Sequence, residues 1–171
     1  MVSTPLSTAS ARPYFRRILP EDEALLWMAG AVHSAAWQEA HRALVTPEFL
    51  ALHTPERQTA FFQGELSAGK ELYGAFFGDS PAGVVVVDPK SGEISSLYVL
   101  PSRWDQGVGS ALLAFSKKRL SVLGKAPWLG VLNANERARR FYEKRGFAWS
   151  GESVLLDEQT GLRELRYVPV P

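Results

Sequence analysis

Residues 93–123 read EISSLYVLPSRWDQGVGSALLAFSKKRLSVL, and the fold turns on the two glycines in the middle, Gly107 and Gly109. Before them, EISSLYV at 93–99 is rich in β-branched and aromatic residues and predicts a strand. After them, Leu112, Leu113, Phe115, Leu120, Val122 and Leu123 share one side of a helix predicted over 109–123. A glycine inside an element costs roughly 0.5–1 kcal/mol relative to alanine, so two at a helix entrance mark a tight turn or a close approach to the main chain. A strand, a glycine turn and a helix in succession aim main-chain N–H groups outward at the positive end of a helix dipole, an arrangement that cradles phosphate. Gln106, Gly107, Val108, Gly109 and Ser110 supply those nitrogens. A tight turn opening a helix is the plainer account of the same residues, and this stretch alone leaves both open. A dinucleotide fingerprint needs a third glycine where Leu112 stands, and a Walker A loop needs a Gly-Lys pair that is missing.

Working outward, ELYGAFF at 71–77 and AGVVVVD at 82–88 precede that strand, with GDSP and DPKSG as turns, so an antiparallel meander is expected. Further upstream, YFRRIL at 14–19 reads as a strand, and LPEDEALLWMAGAV puts proline and acids ahead of a helical run that continues to Val45. PEFLAL and PERQTAFFQGEL each restart a helix at a proline. Downstream come a strand APWLGVL at 126–132, a helix carrying Ala134, Ala138, Phe141 and Tyr142 that Gly146 ends, and a hairpin of FAWSGESVLL and LRELRYV. The order β-α-α-β-β-β-α-β-α-β-β is that of an α+β domain with a mixed, mostly antiparallel central sheet flanked by helices. Arg119 interrupts the apolar side of its helix and reads as a long side chain reaching toward water.

A chain of 171 residues, 46% hydrophobic, suits one domain, expected at 14–171, behind a loose tail MVSTPLSTASARP at 1–13. The formal net charge of +1 provides no global field for nucleic acid or an anionic membrane. The longest apolar run, AGVVVV, is far shorter than the ~20 residues of a spanning helix. Without cysteine there are no disulfides, thiolate metal sites or cysteine nucleophiles, which suits a soluble protein in a reducing cytoplasm. His33, Trp37 and His41 recur every four residues on one helical face, either lining a pocket or packing on the sheet. No acidic partner at metal-ligand spacing accompanies them, so no metal is expected. Ser110 lacks the G-x-S-x-G context of a nucleophile.

The stretch LYVLPSRWDQGVGSALL resembles the cofactor motif of the GNAT superfamily of N-acetyltransferases, and NERARRFYEKRGF at 135–147 is similar to that superfamily's other signature. With the matching element order, the resemblance covers roughly residues 14–168. It implies transfer of the acetyl group of acetyl-CoA, a co-substrate, to a primary amine on a small molecule or peptide, by direct attack in a ternary complex. By resemblance, the main chain of Leu97, Tyr98 and Val99 pairs with the pantetheine arm, and Val99 N–H faces the oxyanion. Main-chain amides of Asp105, Gln106, Gly107, Val108, Gly109 and Ser110 hold the pyrophosphate. Asn135 contacts the cofactor or caps a helix, as Asn133 and Glu136 also can, and an arginine of the RARR run at 137–140 can meet a CoA phosphate. Glu93 takes the place of a glutamate base and Tyr142 that of a tyrosine acid that protonates the leaving sulfur. Trp104 departs from the pattern, since Gln or Arg usually stands three residues before the first glycine. Acceptor choice falls to residues 27–66 and the closing hairpin, where no motif speaks. Members often pair as homodimers. A non-catalytic acyl-CoA-binding or regulatory module is the alternative the same motifs allow.

Overall fold

A computed structural model describes residues 12–171, so most of the expected tail lies outside the described residues. The elements run β1 (Tyr14–Ile18), α1 (Glu23–His41), α2 (Pro47–Ala51), α3 (Pro55–Ser67), β2 (Glu71–Phe77), β3 (Ser80–Val87), β4 (Ile94–Val99), α4 (Val108–Val122), β5 (Leu129–Leu132), α5 (Glu136–Glu143), β6 (Phe147–Asp157) and β7 (Leu162–Pro169). A single 3-10 turn at Pro101–Arg103 leads from β4 toward α4. Three helices, not two, stand between β1 and β2. The extra break has a local cause. Thr46 and Thr54 each precede a proline at the first helical position and each accepts a hydrogen bond from a first-turn N–H, Phe49 and Arg57 respectively.

Strands β1-β2-β3-β4 form one antiparallel sheet and β5-β7-β6 a second. The run of four valines in β3 is apolar throughout because both its faces are covered. Val84 and Val86 join Leu26, Ala29 and Phe62 under α1 and α3, while Val85 and Val87 join Leu112, Leu120 and Leu129 under α4. Phe62 and Leu112 are fully buried, each contributing about 1.5–3 kcal/mol of transfer free energy.

Arg119 does not reach into water. Its Nε and one Nη donate to the Glu71 carboxylate at 2.8 and 2.7 Å, and Tyr73 adds a third bond at 2.9 Å. These partners hold the buried Glu71 below the usual carboxylate range, the Arg119 bonds first among the causes.

Candidate functional site

The two sheets touch along one short parallel seam. Ile94 N–H donates to Trp128 O at 2.8 Å and Trp128 N–H to Gly92 O at 3.1 Å, bridging Glu93 and Trp128. Past that seam β4 and β5 part, and residues 95–98 and 130–132 line opposite sides of a cleft of about 1170 Å³. A bulge helps to shape this edge. Ser95 pairs with Val86 and Tyr98 with Val84, so β4 carries one residue more than β3, and Ser96 takes the left-handed conformation at φ 49°. Leu100 N–H donates to Ala82 O at 2.9 Å, so strand alternation turns the N–H and C=O of Val99 to the edge away from β3. The indole Nε1 of Trp104 donates to that carbonyl at 2.9 Å.

The cradle follows. Asp105 has φ 59° and Gly107, the N-cap of α4, has φ 80°. The first helical bond runs from Ala111 N–H to Gly107 O at 3.0 Å. Among the described residues no acceptor meets the six preceding N–H groups, from Asp105 to Ser110. Unpaired donors on a left-handed turn at a helix N-terminus form an anion-binding nest. The glycines divide the work. Gly107 supplies the positive φ in open space, while a Cβ on Gly109 would lie 3.2 Å from the Phe141 ring. Packing of α5 on α4 is therefore tight at the second one, where an added Cβ needs the Phe141 ring to give by a few tenths of an ångström. Three guanidinium groups line the same cavity of about 230 Å³. That of Arg137 lies 3.6 Å over the Trp104 ring, and that of Arg145 lies 3.8 Å over Phe141 with two bonds to Ser110 Oγ, at 2.8 and 2.6 Å. Arg103 completes the set, 5.1 Å over Phe77.

Leu97, Tyr98, Asn135, Ala138 and Tyr142 line both the cradle cavity and the larger cleft, so the two are continuous. Tyr142 is buried at this junction, and burial raises its phenol above the usual value, keeping the proton on oxygen. Tyr98 is raised for the same reason, with a smaller contribution from Tyr142.

The model of the acetyltransferase (GNAT) family matches residues 37–147, more than half of the chain and the whole of the seam, the cradle and their junction. The chain belongs to the GNAT acetyltransferase family. Among solved structures, the fold is similar to the PaiA N-acetyltransferase from Thermoplasma acidophilum in complex with coenzyme A, with TM-score 0.69, 19% identity, and 90% of this chain and 97% of that one covered. It is also similar to apo YjaB from Escherichia coli, with TM-score 0.71, 19% identity, and 92% and 97% covered. An uncharacterized N-acetyltransferase of Lactobacillus delbrueckii subsp. lactis is 36% identical over 78 residues, which span 43% of this chain and 45% of that protein. The chain thus spans under half the length of that relative.

In this GNAT chain the residues singled out from sequence fall in three places. Leu97, Tyr98, Val99 and 105–110 sit on the cradle side, although the Gln106 side chain turns back to Ser102 O at 3.0 Å. Asn135 caps α5 by accepting from Ala138 N–H at 3.0 Å, whereas Asn133 ties the β6–β7 turn through Gly161 O and Arg163 N–H, so the Asn133–Glu136 box does not form. Glu93 stands at the closed end of the seam, behind the cleft lining, with the Lys70 ammonium 3.6 Å away. Burial raises its carboxyl above the usual range; Lys70 opposes that, and Glu164 adds to it by repulsion. Trp37 and His41 line the cleft, while His33 packs behind them with its ring edge-on to Tyr98 at 4.6 Å. Arg145 and Glu164 were missed. Their only trace in the sequence is a charge within an otherwise patterned helix end and strand, which is what any solvated position looks like.

Proposed function

We propose that the protein is an acetyl-CoA-dependent N-acetyltransferase that passes the acetyl group directly to a primary amine. The observation that carries this is the run of six main-chain N–H groups, Asp105 to Ser110, without an acceptor, opening into a cavity continuous with the cleft. Those donors suit the pyrophosphate of coenzyme A, and Arg103, Arg137 and Arg145 bring the positive charge that the phosphates need. The outer edge of β4 at Leu97–Val99, where Trp104 takes the Val99 carbonyl and leaves its N–H free, offers main-chain pairing to the pantetheine arm, as an added strand would use it.

Chemistry then falls at the junction. The amine nitrogen attacks the thioester carbonyl carbon, the oxyanion meets Val99 N–H, and the C–S bond breaks as the sulfur takes the Tyr142 proton. Glu93, raised by burial, accepts the proton shed by the ammonium through intervening water. No cysteine is present to carry the acetyl group, which favours a ternary complex.

Titration of acetyl-CoA by calorimetry, followed by thiol release in the presence of amines, tests the reading. Binding in the micromolar range and amine-dependent thiol release are expected. No heat of binding with folded protein overturns it.

A further inference from the structure

The end of α3 wraps back on itself and delivers a lysine to Glu93. Gly69 takes φ 87°, and the N–H groups past the helix turn inward: Gly69 N–H donates to Leu66 O at 3.0 Å and Lys70 N–H to Glu65 O at 3.1 Å. That wrap sets Lys70 beside Glu65, whose carboxylate accepts from the Lys70 ammonium at 2.7 Å. The same ammonium stands 3.6 Å from the Glu93 carboxylate. Glu65, Lys70 and Glu93 thus form a row of alternating charge with the lysine in the middle. Their side chains are 18%, 21% and 24% exposed, so water and salt screen the row only in part.

Of the charges that act on Glu93, only this one is positive. Burial raises the Glu93 carboxyl, and the charges of Glu164 on β7 and Glu65 on α3 raise it further, with Lys70 alone opposing them. Asp88 meets Glu93 through its main chain, its N–H donating to Glu93 O at 2.8 Å, while its carboxylate is held in its own turn by Lys90 N–H and Ser91 Oγ, each at 2.8 Å. Among the described residues Lys70 is the only cation within ion-pair distance of Glu93. Burial works against the Lys70 ammonium too, but the bond to Glu65 and the charges of Glu65, Glu93 and Asp88 outweigh it and hold the group above its ordinary value. Lys70 therefore stays charged wherever Glu93 titrates.

A half-buried carboxylate surrounded by acids alone keeps its proton and accepts no other. We infer that Lys70 is a positioning residue for the acyl transfer: anchored by Glu65, it fixes a positive charge against Glu93 and so keeps that carboxylate free to take the proton of the attacking amine. The catalytic part of this role rests on the transferase reading and on Glu93 as its base; the contact between the two side chains does not.

The test follows the Glu93 carboxyl by carbon-13 NMR, its resonance assigned by its loss in Glu93→Gln, and sets that titration beside the pH profile of kcat/KM for amine-dependent thiol release from acetyl-CoA. In Lys70→Met, and in Lys70→Gln as a second neutral variant, the midpoint is expected to rise by about one pH unit and the profile to move with it, so that kcat/KM falls about tenfold below both midpoints and little above them. Lys70→Arg should restore both. In a Glu93→Gln background, Lys70→Met should change kcat/KM by no more than about twofold. An unmoved Glu93 midpoint in the neutral variants, or a loss of kcat/KM that is the same at every pH, overturns the inference. A moved midpoint in a protein that releases no thiol with any amine upholds the contact and overturns the transferase reading, and with it the catalytic role of Lys70.

Discussion

The Trp104 indole donates to Val99 O at 2.9 Å, closing the last carbonyl of β4 with a side chain from the cradle loop. The strand edge and the turn that follows it are thereby fixed relative to one another, and the same ring carries the Arg137 guanidinium. Trp104→Phe keeps the ring and loses the bond, so a loss of about 1 kcal/mol in urea denaturation is expected. Trp104→Ala removes the platform too, and the affinity for coenzyme A is expected to fall further than in Trp104→Phe.

Gly109 faces Phe141 closely enough that an added methyl forces the ring to move. Gly109→Ala sets the cost of that shift against a helix-propensity gain of about 0.5–1 kcal/mol, so a net loss of no more than about 1 kcal/mol is expected, read from the thermal midpoint. Adding Phe141→Leu should return part of that loss, a non-additivity that a purely conformational role for Gly109 does not produce.

Tyr142→Phe deletes the only hydroxyl it carries without altering the packing of the ring. A fall in kcat of about 10²-fold or more is expected, with the Kd for acetyl-CoA within about twofold of the parent. The base role proposed for Glu93 needs the ionised carboxylate, and its carboxyl is raised, so kcat/KM should rise with pH through a midpoint above the ordinary carboxylate value. Glu93→Gln should abolish that limb.

His33 is buried among Phe61, Phe62 and Tyr98, and burial drops its pKa to about 3. The unfolded chain takes up this proton near pH 6.5, the folded protein only near pH 3, so acid favours unfolding between the two. Stability contributed by the neutral ring is complete above pH 6.5 and declines below it by up to about 1.4 kcal/mol per pH unit. Urea midpoints measured at pH 7 and pH 5 should differ by less in His33→Leu than in the parent.

Glu71 behaves as a depressed carboxylate does. Its contribution is complete above about pH 4.5, where the unfolded carboxyl is ionised, and is lost as pH falls through the lower folded value. Arg119→Met leaves the buried carboxylate with Tyr73 and with Arg17 at 3.5 Å, and a loss of about 2–3 kcal/mol at pH 7 is expected. Glu71→Gln should flatten the acid limb of the stability curve.

Local signals carried most of the architecture. ELYGAFF became β2 at the stated bounds, and AGVVVVD was a strand as expected, while its cover on both faces, by α1 and α3 on one side and α4 on the other, came only from the structure. The third helix before β2 was legible in the two Thr-Pro pairs, yet the written order merged it with its neighbour. What periodicity could not carry were pairings across the chain. Arg119 and Glu71 are 48 residues apart, and Arg145 and Ser110 35 apart, so nothing local in the sequence joins them. The parting of β4 from β5 is likewise a relation between distant strands, and with it went the position of Glu164. Gly109 shows the converse: its presence was plain, but half of its reason lay in Phe141, 32 residues on.

Because β4 and β5 meet at one bridge and then diverge, β4 serves two spaces at once, the cradle cavity and the cleft. The cradle is written largely in main-chain atoms, which tolerate side-chain exchange, and the far wall of the cleft in side chains of α1, α2 and the last hairpin. Engineering can therefore exchange side chains on that far wall without redrawing the main-chain donors of residues 105–110.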